Sequence, residues 1–264
     1  MTNIKVLVGG ATGRMGQHTV NAIQREPNLE LVGGTCSPGS SQEGSIKLNN
    51  GDSVPLSSNL EQLINQTNPD IYVDFTNATA FIENAQLVIS NGIHTVVGIS
   101  GLSKEDTEVL ASLQNLYQTG LAIIPMFAIG AVVLRKLCEE ASQYFDYVDI
   151  IESHHEHKID TPSGFALDLA NVLTKNKEYS RNNAEMETLD NTRGGEKQGV
   201  SIHSIRLPGR SSHHEVIFGT SGQILTLKHD TLDRECYMPG VIKTINYVYS
   251  NSVFTIGLEN ILGI

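Results

Sequence analysis

At 264 residues, 39% hydrophobic and 18% charged, the chain has the size and composition of one large globular domain or two moderate ones, with two preferred. A formal net charge of −11 disfavours nucleic acid or an anionic membrane surface as partner, so an anionic small ligand must meet local positive charge. The three cysteines, Cys36, Cys138 and Cys236, form neither a disulfide framework nor a CxxC motif. No apolar run is long enough to cross a bilayer, and the N-terminus enters a strand with no room for a signal peptide, which leads us to expect a cytoplasmic protein.

Ile4 to Val8 is an apolar run leading into G-G-A-T-G-R-M-G, after which the periodicity becomes that of a helix. Gly10, Gly13 and Gly16 have the G-x-x-G-x-x-G spacing that allows a tight turn, close approach of backbone to a pyrophosphate, and close packing of helix on strand. Strand, glycine turn and helix together predict a dinucleotide site that includes Thr12, Arg14 and Met15. The alternative is a glycine-rich turn used only for packing. A second strand, Leu29 to Gly34, ends about twenty residues past the glycines, where NAD-binding folds carry Asp or Glu. This chain has Thr35-Cys36-Ser37 there, and with Arg14 in the turn and serines from Ser37 to Ser41, NADPH is favoured over NADH, which stays possible.

Gly39 to Leu56 reads as a loop or short irregular hairpin. Helix and strand patterns then alternate: Ser58 to Gln66, Ile71 to Phe75, Ala78 to Ser90, Thr95 to Val97, Lys104 to Gln118, Leu121 to Ile124. The alternation predicts an α/β fold with a Rossmann-like, doubly wound parallel sheet. Ligands bind such sheets at the carboxyl ends of the strands, which nominates Phe75, Thr76, Gly98, Ser100, Met126 and Phe127 for the cofactor cleft.

Ile129 to Phe145 is a periodic helix bridging to a second domain. Tyr147 to Ile151 reads as a strand, and A-L-D-L-A-N-V-L after Pro162-Ser163-Gly164 reads as a helix. Between them lies the polar stretch Glu152 to Gly164. The helix start makes Ser163 and Gly164 a cradle for an anion. Lys158 brings a compact charge, and His154 or His155 can supply a proton near neutral pH. Two other readings stay open. One is a solvated loop beside a helix cap; the other is a metal site of His154, His155 and His157, whose spacing matches none of the usual helix-borne zinc motifs. Asn176 to Gly199 is polar and reads as an exposed loop or lid. Val200 to Leu207, Glu215 to Phe218 and Ile224 to Lys228 read as strands of a mixed or antiparallel sheet, so the second domain is α+β. Tyr237 to Tyr249 is a helix, and the tail returns to the first domain. The expected domains are 1–127, completed by 235–264, for the dinucleotide, and 128–234 for substrate binding and oligomerisation.

V-G-G-A-T-G-R-M-G at 8–16, V-D-F-T at 73–76, E-S-H-H-E-H-K-I-D-T-P-S-G at 152–164, and I-H-S-I-R-L-P-G with H-D-T-L-D-R further on resemble, from end to end, the 4-hydroxy-tetrahydrodipicolinate (dihydrodipicolinate) reductase family of the lysine and diaminopimelate pathway. The resemblance implies reduction of a cyclic imine dicarboxylate with NADPH or NADH, a homotetramer built through the second domain's sheet, and closure of two domains around substrate. It implies His154 as catalytic acid and Lys158 as proton donor and carboxylate binder. His155, Ser163 and Gly164 complete the substrate cradle, and Arg234 touches nucleotide. No metal is implied. Met126 and Phe165 depart from the family pattern, each putting a large apolar side chain where a polar pocket residue is usual, and Arg210-Ser211-Ser212 is polar where relatives are apolar. These departures keep two other functions in view: a paralogous NADPH-dependent reductase of a related imine, and a nucleotide-binding protein without turnover. The presence of both His154 and Lys158 argues against the last.

Overall fold

The computed structural model of the protein describes residues 3–175 and 177–264. In chain order its elements are β1 (Ile4–Gly9), α1 (Arg14–Ile23), β2 (Leu29–Thr35), β3 (Gly44–Lys47), β4 (Ser53–Ser57), α2 (Leu60–Thr67), β5 (Ile71–Asp74), α3 (Ala78–Ser90), β6 (His94–Val97), α4 (Lys104–Tyr117) and β7 (Leu121–Ile123). There follow α5 (Ile129–Ala141), β8 (Tyr147–His154), α6 (Gly164–Thr174), β9 (Gly195–Lys197), β10 (Val200–Arg206), β11 (Ser212–Thr220), β12 (Gln223–Thr231), α7 (Met238–Ser250), β13 (Phe254–Ile256) and α8 (Leu258–Leu262). The chain divides into two compact units, residues 1–129 with Arg234–Gly263, and Gly130–Asp233.

Among the described residues, the first unit carries an eight-stranded sheet in the order β13-β7-β6-β5-β1-β2-β4-β3. Every neighbouring pair is parallel except β3 with β4, the hairpin into which Gly39 to Leu56 folds at the sheet edge. Strand order reverses at β1, so the ends of β1, β2 and β5 border the crevice in which such sheets take ligands. β5 is buried along its whole length, as expected of a central parallel strand covered on both faces. Leu7, Tyr72, Phe81, Ile89, Leu110 and Leu121 form the heart of this core. The helix expected from Ser58 starts at Leu60 because Asn59 caps it, its Oδ1 accepting from the Gln62 amide at 2.9 Å.

Among the described residues, the second unit is a five-stranded sheet in the order β12-β11-β8-β10-β9. β8 and β10 are parallel and the other pairs antiparallel. Val148, Ile150, Val200, Val216 and Phe218 face a layer that includes Leu134, Cys138, Leu169 and Leu173 of α5 and α6. Two expected boundaries differ from the structure. β8 does not stop at Ile151: β10 and β11 pair with it on both sides as far as His154, so Glu152, Ser153 and His154 lie inside the sheet. α5 ends at Ala141 and a 3-10 turn follows, with Phe145 extended and its ring 5.5 Å from that of Phe218. The loop expected over Asn176 to Gly199, whose first residue lies outside the described residues, is irregular and exposed from 182 to 192 and is anchored at its two ends. Tyr179 is buried and donates from its hydroxyl to the Ser142 carbonyl, the Lys177 ammonium reaches the Phe145 carbonyl at 2.6 Å, and β9 pairs with β10. One buried aromatic side chain and a short edge strand thus anchor the two ends of an otherwise exposed loop.

Phe218 has no exposed surface. Phe218→Ala is expected to destabilise the protein by about 3–5 kcal/mol in chemical denaturation. A loss below about 1 kcal/mol would contradict the packing described.

Candidate functional site

In the first unit the chemistry begins at the turn after β1. Gly10 has a φ of +69°, which L side chains rarely adopt, and a Cβ on Gly16 would lie 2.1 Å from the Gly10 carbonyl oxygen, so α1 starts hard against the turn. The N-cap is Gly13, without a side-chain bond and with no acid in the first turn, whereas α2, α3, α4 and α6 are capped by Asn59, Asn77, Ser103 and Ser163. The first amides of α1 are therefore left for an anion. Thr35 fixes the turn from β2, its Oγ1 accepting from the Gly10 amide at 3.0 Å and its carbonyl from the Ala11 amide at 2.9 Å. Beneath the loop after β5, buried Asp74 accepts from the Thr76 amide (2.7 Å), the Thr76 hydroxyl (2.6 Å) and the Tyr72 hydroxyl (2.7 Å). Burial pushes its pKa up against those bonds.

A pocket of about 450 Å³ collects Gly10, Thr12, Gly13, Cys36, Ser37, Phe75 and Thr76 from the ends of β1, β2 and β5. Arg14 and Met15 stand in the first turn of α1, and Gly98 packs under the rings of Phe75 and Phe127, whose centroids are 5.7 Å apart. Ser100, Met126 and Arg234 are not in the pocket lining. The glycine turn, the uncapped helix and this pocket fit a dinucleotide. Glu43, which does not follow β2 directly in the chain, accepts from the Ser57 hydroxyl (3.2 Å) and from the Ser58 amide and hydroxyl (both 2.9 Å). Its charge bears on Cys36, whose thiol is raised first by burial and then by Glu43. The β2 end therefore has a carboxylate near it in space, though none follows it in the chain.

In the second unit, side-chain alternation along β8 puts Glu152 and His154 on the same face as Val148 and Ile150. Register brings His214 opposite Glu152 from β11, and Arg206 beside His154 from β10. Glu152 is fully buried. Arg206 grips it with both terminal nitrogens, Nη1 to Oε2 at 3.0 Å and Nη2 to Oε1 at 2.8 Å; His154 Nδ1 lies 2.5 Å from Oε2, and the Ser163 amide donates to Oε1 at 3.3 Å. Burial alone would raise the Glu152 pKa, but hydrogen bonds from His154, Arg206 and Ser204 outweigh it and hold the carboxyl well below the usual range. The group is ionised, so the proton on this bond is the one on Nδ1.

His214 is buried beside His154, ring centroids 5.3 Å apart, with Nε2 3.1 Å from the Ser163 hydroxyl. Burial first, and then the charge of His154, push its pKa down to about 3, so it is neutral near pH 7. The Ser163 hydroxyl caps α6 by accepting from the Ala166 amide at 3.3 Å, which leaves the Gly164 and Phe165 amides as first-turn donors. A Cβ on Gly164 would meet nothing within 4 Å, and Phe165 turns its ring onto His214, edge to face, at 4.8 Å. Lys158 pairs with Asp160 at 2.7 Å, while Arg206 Nη2 also holds the Asp160 carbonyl at 2.8 Å. His155 and His157 are exposed, their rings 6.4 Å apart.

The structure thus groups His154, Ser163 and Phe165, with Lys158 tied to the group through Asp160, and leaves His155 at the surface. Glu152, Arg206 and His214 were missed by sequence reasoning. Glu152, two residues from His154 on a strand, carried a usable signal. The other two did not, because Arg206 meets Glu152 across 54 residues of chain and His214 meets Ser163 across 51. Glu152, His154 and His214 offer donor atoms within 4.8 Å of one another. Both Glu152 oxygens are taken, however, and the guanidinium charge on them opposes a cation. The group is a hydrogen-bonded network, not a metal centre.

Two family models match the chain, "Dihydrodipicolinate reductase, N-terminus" over residues 4–127 and "Dihydrodipicolinate reductase, C-terminus" over residues 130–262. A 4-hydroxy-tetrahydrodipicolinate reductase of Dehalococcoides mccartyi is 38% identical over 262 residues, 99% of each chain. One of Syntrophomonas wolfei is 39% identical over 261 residues, 98% of each chain. Among solved structures, a dipicolinate-bound dihydrodipicolinate reductase from a Paenisporosarcina species superposes with a TM-score of 0.87 at 34% identity, covering 98% of this chain and 99% of that one. An amine dehydrogenase from Mycobacterium smegmatis, at 14% identity and a TM-score of 0.62 over 94% of this chain and 93% of that one, shares the fold alone.

The neutral state of His214 predicts a pH dependence of stability. Its folded pKa, about 3, lies below the ordinary 6.5, so the unfolded chain binds more protons between those values. The stability this contributes is present above pH 6.5 and is lost as pH falls toward about 3. Denaturation midpoints measured across that window should fall with pH, and His214→Gln should flatten the slope. An unchanged slope in His214→Gln would contradict the assignment.

Proposed function

The chain belongs to the dihydrodipicolinate reductase family, and on that footing we propose how its residues carry the family's reaction. It is an NAD(P)H-dependent oxidoreductase that reduces 4-hydroxy-tetrahydrodipicolinate to tetrahydrodipicolinate in lysine and diaminopimelate biosynthesis. The observation that carries the assignment of residues is a histidine on an ionised, fully buried glutamate, beside a lysine and the N-terminus of α6.

When bound, the nicotinamide nucleotide supplies the hydride. In the first unit, the α1 amides and Arg14 hold the nucleotide phosphates, with Thr12, Met15, Ser37, Phe75, Thr76, Gly98, Ser100, Met126, Phe127 and Arg234 around them. In the second, Lys158 and the Gly164 and Phe165 amides hold a substrate carboxylate as charge-assisted donors, and His155 adds a further contact. His154 donates the proton that the reduced ring requires. The Phe165 ring lies edge to face on His214 and a Cβ on Gly164 would meet nothing within 4 Å, so we infer that Phe165→Thr with Met126→Asn brings no tenfold gain in kcat/KM.

The finer cofactor reading is NADPH over NADH. Arg14 in the turn and the absence of an acid among Thr35, Cys36 and Ser37 support it, and Glu43 works against it. The assembly we propose is a homotetramer through the outer face of the second unit's sheet. Support comes from Tyr147, Ile205 and Ile224, which alternation puts on that face with 41%, 39% and 74% of their surface exposed. Among the described residues no helix is long and apolar enough to cross a membrane. We take the protein to work in the cytoplasm, without nucleic-acid or membrane partners.

Lys158→Ala should abolish turnover, and His154→Ala should lower kcat by roughly 10²–10⁴-fold, with NADPH affinity nearly intact in both. Parallel loss of NADPH binding would move these residues to the cofactor site and sink the assignment. In direct titrations NADPH should bind more tightly than NADH, and Glu43→Gln should widen the gap. If NADH binds at least as tightly in the natural chain, the NADPH reading is wrong.

A further inference from the structure

We propose that Glu152 and Arg206 are positioning residues for the reaction's acid: the guanidinium fixes the carboxylate, and the carboxylate fixes His154 so that Nε2 is the ring atom that delivers the proton. The inference rests on the assignment of His154 as acid made above.

An imidazole can carry its proton on either nitrogen, and the partner of one nitrogen decides the role of the other. Here Nδ1 faces a carboxylate that accepts only, at 2.5 Å, from a neighbour on the same strand face. Once the ring has given up a proton from Nε2, the remaining one stays on Nδ1, and the ring keeps its orientation. The carboxylate in turn cannot rotate. Arg206 takes one oxygen with each terminal nitrogen, while its Nη1 donates to its own strand at the Ile205 carbonyl and its Nη2 to the Asp160 carbonyl, both at 2.8 Å. The second of those carbonyls belongs to the residue that pairs with Lys158. One guanidinium therefore ties the acid and the substrate-holding ammonium to a common frame.

Burial makes a merely structural purpose a poor explanation. Removing a carboxylate and a guanidinium from water costs most of what their attraction returns, and apolar side chains of similar volume usually serve stability as well or better. Orientation of a third group is what the pair adds. The other groups facing His154 do not duplicate it: His214 on β11 is neutral and engaged with Ser163, Ser163 on α6 is occupied as helix cap, and Lys158 is drawn to Asp160. His229 on β12 acts on His214.

The test compares Glu152→Gln, His154→Ala and the double variant in turnover with NADPH and in NADPH binding. Glu152→Gln should lower kcat about 10²-fold, with KM and NADPH affinity changed by less than about threefold. The double variant should be no slower than His154→Ala, since a residue acting only through another adds nothing once that one is gone. The alkaline limb of the kcat profile should move to lower pH in Glu152→Gln, and the low-field proton resonance of His154 Nδ1 should disappear. Natural kcat and pH profile in a folded Glu152→Gln, or losses that multiply in the double variant, would overturn the proposal. Should Glu152→Gln fail to fold, Arg206→Lys carries the same comparison: it keeps the charge, loses the fork, and should slow turnover only when His154 is present. Natural turnover in His154→Ala would instead overturn the choice of acid made above.

Discussion

The second unit depends on one ion pair placed where ion pairs are expensive. Glu152 has no exposed surface and sits on the core face of a central strand among valines and isoleucines. A lone carboxylate there would be protonated or would unfold the strand. Arg206 from β10, His154 from β8 and the Ser163 amide at the start of α6 satisfy it together. Since these groups come from the sheet, the crossover loop and the helix that covers them, the same contacts that neutralise the charge also fix the geometry of the site. Stability and chemistry share one network here, which is why the site has little freedom to drift.

The first unit solves an opposite problem. On the reading proposed above its site accepts charge, and the chain there fits that role: an α1 terminus capped by glycine, and turns that a Cβ would obstruct. The rigid part lies one layer deeper, where Asp74 fixes the loop after β5 through Thr76, and Thr35 fixes the glycine turn. On the reading proposed above, the part of this anion site that is backbone does not depend on side-chain rotamers. It can be lost to a single added methyl at Gly16.

Much of this was legible in the chain. The strand, glycine turn and helix at the N-terminus are local, and periodicity reports local structure directly. So are the alternation that follows and the helix start at Ser163. What escaped is what depends on register between distant segments. His214 and Arg206 are ordinary polar residues on strands until pairing sets them against Glu152. Glu43 is an exposed acid in a polar loop until the β3–β4 hairpin carries it to Ser57 and Ser58, near Cys36. Tyr179 is one aromatic in a polar tract, and composition alone gave no reason to bury it. The reach of β8 to His154 was hidden for a related reason: polar residues at a strand end look like a loop unless both neighbours are known.

As a member of its family, this chain turns over a cyclic imine dicarboxylate with a reduced nicotinamide nucleotide. The most direct measurement is the oxidation of NADPH by the natural chain when 4-hydroxy-tetrahydrodipicolinate is generated enzymatically in the same cuvette. The account predicts oxidation that begins with the substrate, consumes one NADPH per substrate formed, and saturates. Tight NADPH binding without oxidation above the rate of the Lys158→Ala variant would contradict it.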